Sequence, residues 1–214
     1  LKGPRLITDD DVHMLQIAAG VMASALQRAR AERKLTHLTF HDQVTGLYNR
    51  TFFEEEIRRL DTERQLPLSM IMADVNGLKM VNDALGHHEG DRLLRRVAAI
   101  LRRSCRQEDI VARWGGDEFV ILLPETNYED AQMIAHRIRV SCAEAEEQPI
   151  RPSVALGCAT KNLADEDLQM VSQEAEDRMY TTKKSSAPSS RSTTIASLQR
   201  TLEEKSHETR EHAQ

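Results

Sequence analysis

A chain of 214 residues has room for one ordinary domain with extensions. Its 40 % hydrophobic and 29 % charged residues fit a packed core under a solvated surface. The formal net charge of −5 excludes a general binder of nucleic-acid polymers or anionic membranes, and no apolar run has the length of a membrane span. Cys105, Cys142 and Cys158 are odd in number and widely spaced, which reads as free thiols in a reducing cytoplasm. With no signal peptide and no starting Met, the chain reads as a cytoplasmic piece of a longer protein, without membrane contact of its own.

Thr8-Asp-Asp-Asp11 is a helix start, a capping hydroxyl followed by acids that suit the helix dipole. Leu15, Ala19, Met22, Leu26 and Ala29 then recur at helical spacing, which carries the helix to about Leu38. Gln27, Arg28, Arg30, Glu32 and Arg33 leave only a narrow apolar stripe. That favours a parallel coiled-coil connector between two copies over a helix packed on its own domain. The pattern predicts a helix over 51–60, a strand over 68–73, and helices over 78–85 and 91–105. Two apolar runs, 110–114 and 119–123, are joined by Gly115-Gly116-Asp117-Glu118 and read as a β-hairpin. Residues 128–145 form an amphipathic helix with Ala131, Ile134, Ala135, Ile138 and Cys142 on one face, followed by a strand over 152–159 and a helix over 167–182. Residues 185–194, rich in Ser and Thr, read as a low-complexity linker before a charged helix over 195–214. Two βα units flanking a hairpin predict an α+β fold, a mainly antiparallel central sheet flanked by helices.

The chemistry concentrates where strands end in acids. Asp74 closes one predicted strand, while Asp117 and Glu118 occupy the hairpin turn beside the bare backbone of Gly115 and Gly116. Such a set suits a cation bound to phosphate, since Mg²⁺ takes oxygen ligands and paired carboxylates serve two-metal phosphoryl chemistry. Val75-Asn-Gly-Leu-Lys79 joins strand to helix, so its amides can meet phosphate oxygens at the helix start, and Lys79 adds a point charge. His87 and His88 have no third ligand at zinc spacing and read as turn residues.

The run Arg113-Trp-Gly-Gly-Asp-Glu-Phe119, taken with residues 73–91, resembles the GGDEF family, the diguanylate cyclases, which join two GTP into cyclic di-GMP. His41-Asp-Gln-Val-Thr-Gly-Leu-Tyr-Asn-Arg50 resembles the segment that opens that domain. Asp74, Lys79, Asn82, Asp83, Gly86, His87, Gly90 and Asp91 fall at the family's spacing, and Ala175-Glu-Asp-Arg-Met-Tyr-Thr-Thr-Lys183 resembles its closing helix. The likeness covers about residues 37–184 and implies the palm-like fold of nucleotidyl cyclases, here between an N-terminal signalling helix and a C-terminal helix. Residues 1–36 then read as the tail of an upstream, GAF-type sensor. Residues 185–214 read as a linker and the start of a downstream HD-GYP phosphodiesterase domain, whose first helix Leu202–His212 resembles.

The resemblance implies roles. Asp74, Asp117 and the Val75 carbonyl hold Mg²⁺, or Mn²⁺ in its place, and Glu118 holds a second ion or polarises the attacking hydroxyl. Asp117, Glu118 and Lys79 form the catalytic set. Gly77, Leu78, Lys79, Gly115, Gly116 and Lys183 meet the phosphates of GTP. Asp91 accepts from the guanine ring N–H and amino group and Asn82 reads the opposite edge; read from the residues alone, Asn82 is a polar residue of a helix face and Asp91 the cap of the helix that follows it, a role compatible with the first. Arg106-Gln-Glu-Asp109 has the RxxD pattern and spacing of the family's inhibitory site for cyclic di-GMP, which Arg137 completes. Two departures stand out. Asn76 occupies a position commonly Asp, and Lys183 is followed by Lys184-Ser-Ser-Ala187 where many members have Gly-Arg-Asn, leaving Arg191 or Lys184 to supply the missing cation. The expected activity is Mg²⁺-dependent condensation of two GTP by a homodimer, each copy supplying a half-site. The alternatives are an idle module that senses GTP or cyclic di-GMP for a downstream phosphodiesterase, and a structural dimeriser without nucleotide affinity.

Overall fold

The computed structural model describes residues 9–146 and 149–211. They fall into two units, residues 1–39 and 40–214. The first is made by α1 (Asp9–Phe40), a 32-residue helix whose Met14, Val21, Met22 and Leu26 stand exposed. The Thr8 cap and the side chains of Leu15, Ala29, Arg30, Glu32 and Arg33 lie outside the described residues.

The second unit is built on one five-stranded sheet in the order β1-β3-β4-β2-β5. Its strands are β1 (Tyr48–Asn49), β2 (Leu68–Val75), β3 (Ile110–Gly115), β4 (Glu118–Leu123) and β5 (Val154–Lys161). Only the short β1–β3 pair is parallel; β3–β4, β4–β2 and β2–β5 are antiparallel. The helices are α2 (Arg50–Leu60), α3 (Leu78–Leu85), α4 (His87–Arg103), α5 (Tyr128–Glu144) and α6 (Leu168–Glu211). Asn49 starts α2 by accepting from the Phe52 amide, and Asn127 starts α5 by accepting from the Asp130 amide.

Both faces of the sheet are covered, which is why its strands read as continuous apolar runs rather than alternating ones. Ile71, Ala73 and Val75 of β2 join Phe119 and Ile121 of β4 in a core closed by α3, α4 and α5. Met70 and Met72 point the other way with Val120 and Leu122, meeting Phe53 and Leu60 of α2 and Val171, Ala175 and Met179 of α6. At Gly157 the strand touches helix backbone: an added Cβ would stand 2.1 Å from the Ala175 carbonyl oxygen. Cys142 and Cys158 are buried free thiols and Cys105 is half-buried; burial pushes the first two to about 11 and the third to about 12.

Two sequence expectations need correction. The helix predicted from Asp91 begins at His87, because Gly86 both ends α3 and caps α4 at φ +86°. Asp91 therefore lies inside α4 and caps nothing. The predicted linker 185–194 is helical, part of the 44 residues of α6. The cause is tertiary: beyond the Ser-rich stretch, Thr194, Ser197, Leu198 and Thr201 are buried against the domain.

Candidate active site

The end of β2 and the β3–β4 turn form one unit. Asp74 stands opposite Glu118 in the β2–β4 register, and the Val75 amide donates to the Asp117 carbonyl at 2.9 Å. On the other side, the Asn76 amide donates to the Ser153 carbonyl at 2.9 Å and its side-chain amide to Ser153 Oγ at 2.9 Å. The turn itself holds Gly116 at φ +52° after an irregularity between Arg113 and Gly115.

A brace absent from the sequence reading fixes that turn. Arg113 donates from Nε and Nη2 to the Gly116 carbonyl at 3.1 and 2.7 Å, and from Nη1 to both oxygens of Asp42 at 3.1 Å. Asp42 also accepts from the Thr45 amide and hydroxyl at 2.8 and 2.7 Å. Burial opposes ionisation of Asp42, but the Thr45 hydrogen bonds and Arg113 outweigh it and hold the carboxyl below its ordinary range. The segment that opens the domain is thus tied to the acidic turn. Asp42 lies in a quoted motif, but its partner is 71 residues away, beyond any local pattern.

Asp74 is 3 % exposed. Its Oδ2 accepts from Lys183 Nζ at 2.6 Å, while its Oδ1 is buried without a hydrogen-bond partner among the described residues. Burial raises the Asp74 pKa, Lys183 pulls it down and Asp117 pushes it up; the net is upward. Glu118 is raised by burial and by the charges of Asp117, Asp74 and Glu176. Burial alone would lower the Lys183 ammonium, but Asp74, with Asp117 and Glu118, holds it above its ordinary value. Lys183 thus sits on the acid expected to hold metal.

Gly77 opens α3 in the left-handed region at φ +76°, where a side chain would be strained. Leu78 is buried and Lys79 exposed. Further along α3, Asn82 Oδ1 lies 1.9 Å from where a Cβ on Gly90 would stand. Gly90 therefore lets Asn82 rest on the α4 backbone, one residue from Asp91, whose half-buried carboxylate has Arg95 at 3.9 Å. Asn82 and Asp91, expected from the sequence to read guanine, lie on the two packed helices α3 and α4.

Among the described residues, no three His, Cys, Asp or Glu side chains stand together as a metal site. The donors nonetheless suit a hard divalent cation: a buried carboxylate with an orphaned oxygen, beside carboxylates of shared charge. Asp74 and Asp117, with the Val75 carbonyl, are the residues that would hold it. His87 and His88 form no metal group among the described residues.

The RxxD loop is ordered from within. Asp109 is 2 % exposed and its Oδ2 accepts from the Arg106 amide at 2.6 Å. Arg102 donates to the carbonyls of Asp109 and Arg106, and Arg137 donates to the Ser104 carbonyl. Arg106 itself is exposed. The structure gathers Arg106, Asp109 and Arg137 around one loop and turns the Asp109 carboxylate inward onto it.

The family described as "Diguanylate cyclase, GGDEF domain" matches residues 39–188. The chain belongs to the GGDEF diguanylate cyclase family. The diguanylate cyclase DgcM of Escherichia coli is 33 % identical over 163 residues, which is 73 % of this chain and 39 % of DgcM. MucR of Pseudomonas aeruginosa, a bifunctional diguanylate cyclase/cyclic di-GMP phosphodiesterase, is 35 % identical over 153 residues, 68 % of this chain and 22 % of MucR. The chain thus spans well under half the length of these relatives. Among solved structures, the GGDEF domain of YfiN (TpbB) from Pseudomonas aeruginosa matches with TM-score 0.58 and 32 % identity, covering 68 % of this chain and 89 % of that one. The coiled coil and GGDEF domain of Caulobacter crescentus DgcB, solved with c-di-GMP, matches with TM-score 0.69 over 80 % of this chain and 95 % of that one; at 22 % identity it supports the fold alone.

Proposed function

We propose that this chain condenses two GTP into cyclic di-GMP with release of two pyrophosphates. One observation carries the reading: the enclosed Asp74, with one oxygen unpartnered, is joined through the Val75–Asp117 hydrogen bond to the Gly-Gly-Asp-Glu turn. A divalent ion, Mg²⁺ or Mn²⁺, held by Asp74 and Asp117 would neutralise triphosphate charge and acidify the attacking hydroxyl. The amides that open α3 at Gly77 and Leu78 receive phosphate oxygens, with Lys79 beside them. Asn82 and Asp91 take the guanine, the Asp91 carboxylate accepting from its ring N–H and amino group. Glu118, its proton affinity raised, holds the 3′-hydroxyl or a second ion in this reading. Lys183, which covers Asp74 in the ligand-free protein, would turn to the phosphates of GTP when they bind.

Each domain carries one such half-site, so turnover belongs to a homodimer with the two sites facing. The exposed apolar residues of α1, Met14, Met22 and Leu26, are where two copies pair as a parallel coiled coil. In the RxxD loop, Arg106 offers the donor fork for cyclic di-GMP, Arg137 supports it, and Asp109 holds the loop closed. The 202–212 stretch, read as the first helix of an HD-GYP domain, has side chains that lie mostly outside the described residues.

The test is Mg²⁺-dependent GTP turnover with products resolved by chromatography, comparing the chain with Asp117→Asn. Cyclic di-GMP from the unmodified chain alone supports the reading. Retained GTP binding without product would assign the idle sensing module, and no binding at all the structural dimeriser.

A further inference from the structure

The helix α6 does more than close the domain. Its first part, Val171, Ala175 and Met179, packs in the core on one face of the sheet; Leu198, farther along the same helix, packs in the core on the other face with Cys142, Ile150 and Val154. Between these anchorages the helix passes the end of β2. Lys183 meets Asp74 there, and eleven residues on, about 16 Å along a helix axis, Thr194 meets Gly77. A Cβ on Gly77 would stand 3.0 Å from Thr194 Oγ1 and 3.1 Å from its Cγ2. Gly77 is therefore glycine twice over, for its φ of +76° and for the side chain lying against it.

Thr194, Ser197 and Thr201 are 6, 3 and 9 % exposed, and Thr201 donates to the Pro149 carbonyl at 3.3 Å and to Ser197 at 2.9 Å. These residues lie beyond position 188, where the match to the family ends. An open pocket of about 310 Å³, lined by Arg151, Ser153, Thr194 and Ser197 among others, adjoins this seat.

We infer that the segment Thr194–Thr201 is a working part of the nucleotide site: docked, it braces the Val75–Leu78 loop through Thr194 so that the loop is pre-formed for phosphate. Thr194 is a positioning residue, acting through Gly77 rather than on the substrate. The inference rests on the reading of this loop as the phosphate-binding element. Because the brace and the ligand stabilise the same loop conformation, the coupling is reciprocal: phosphate binding must tighten the docking of the helix. That gives the proposal a readout independent of chemistry.

The experiment uses the 214-residue chain with Mg²⁺ and a non-hydrolysable GTP analogue. Calorimetry gives the Kd for the unmodified chain, Thr194→Ala and Leu198→Ala, and circular dichroism confirms that each variant is folded. A weakening of roughly three- to tenfold is expected for Thr194→Ala, the scale of a lost pre-organising contact, with KM for GTP rising in proportion and kcat unchanged. Hydrogen exchange on the unmodified chain should show residues 194–201 slowing when the analogue is added, while α5 is unaffected. Unchanged Kd in Thr194→Ala, a lower kcat at constant KM, or faster turnover, which would make the segment inhibitory, each overturns the inference. So does exchange at 194–201 that ignores the analogue. If the unmodified chain binds the analogue but makes no cyclic di-GMP, the cyclase reading falls and the brace is still judged by Kd and exchange. If it binds no nucleotide, both fall.

Discussion

Lys183→Met puts the electrostatics of the site to a quantitative test. In the folded protein the Asp74 side chain is 4 % exposed, bonded to Lys183 Nζ at 2.6 Å, with its other oxygen buried and unpartnered among the described residues. Removing the ammonium leaves a buried carboxylate without its counter-ion, a change that costs about 3–5 kcal/mol where both partners are enclosed. Lys183 is 39 % exposed, so water screens part of the loss, and about 1–3 kcal/mol is expected. The loss has a ceiling, because Asp74 can escape by taking a proton. From an unfolded value near 3.8, protonation at pH 7 costs about 4 kcal/mol. The sign follows from linkage. Asp74 already titrates above its unfolded value, and losing Lys183 moves it higher, so the folded variant binds a proton that the unfolded chain does not. Between 3.8 and that folded pKa the variant gains stability as pH falls, with a limiting slope of about 1.4 kcal/mol per pH unit. Urea unfolding at pH 5, 6, 7 and 8 measures it: the gap to the unmodified chain should widen toward pH 8 and shrink toward pH 5. Added Mg²⁺ should also narrow it. A gap that does not change with pH would refute the placement of an ionised, enclosed Asp74 under Lys183.

Other consequences follow from the same geometry. Asp42→Ala removes the brace on the acidic turn; turnover should fall by roughly 10–100-fold and stability by about 1–2 kcal/mol, the range for a charge-assisted pair, read by product formation and urea midpoint. Since the Asp42 pKa is lowered in the fold, its contribution is complete above 3.8 and is lost as pH falls through the lowered value, so the difference between Asp42→Ala and the unmodified chain should persist at neutral pH and shrink only below 3.8. In the metal-free protein, NMR titration should find the Asp74 and Glu118 carboxyls above their ordinary 3.8 and 4.5, because burial raises both; values at or below these would contradict their enclosure. Arg106→Ala should abolish calorimetric cyclic di-GMP binding and leave the melting temperature within about 2 °C, as expected when an exposed side chain is removed. Unchanged affinity would remove the inhibitory role from the RxxD loop.

What the sequence disclosed and what it hid divide along physical lines. Elements whose partners are local were legible: the hairpin 110–123 announces itself by two apolar runs around Gly-Gly-Asp-Glu, and α3 by its place between β2 and Gly86. The positions of the acids were legible too, because the end of β2, which carries Asp74, and the β3–β4 turn, which carries Asp117, are local features. Helix α4 was started late, at Asp91, because Gly86-His-His-Glu-Gly90 has loop composition; its beginning at His87 depends on one glycine serving two helices. The continuation of α6 was missed for a different reason. Ser and Thr in 185–201 have weak helix propensity, and the burial of Thr194 on Gly77 and of Leu198 in the core involves partners far away in the chain. The Asp42–Arg113 brace and the seating of Lys183 on Asp74 likewise span 71 and 109 positions, so only the fold displays them.

The most direct test of the central claim is the initial rate of cyclic di-GMP formation from GTP and Mg²⁺ as a function of protein concentration, with bound product first removed and Asp117→Ala alongside. A two-half-site cyclase predicts a rate that climbs more steeply than linearly through the dimerisation range and is lost in the variant. Absence of cyclic di-GMP at every concentration, or product that persists in Asp117→Ala, would contradict it.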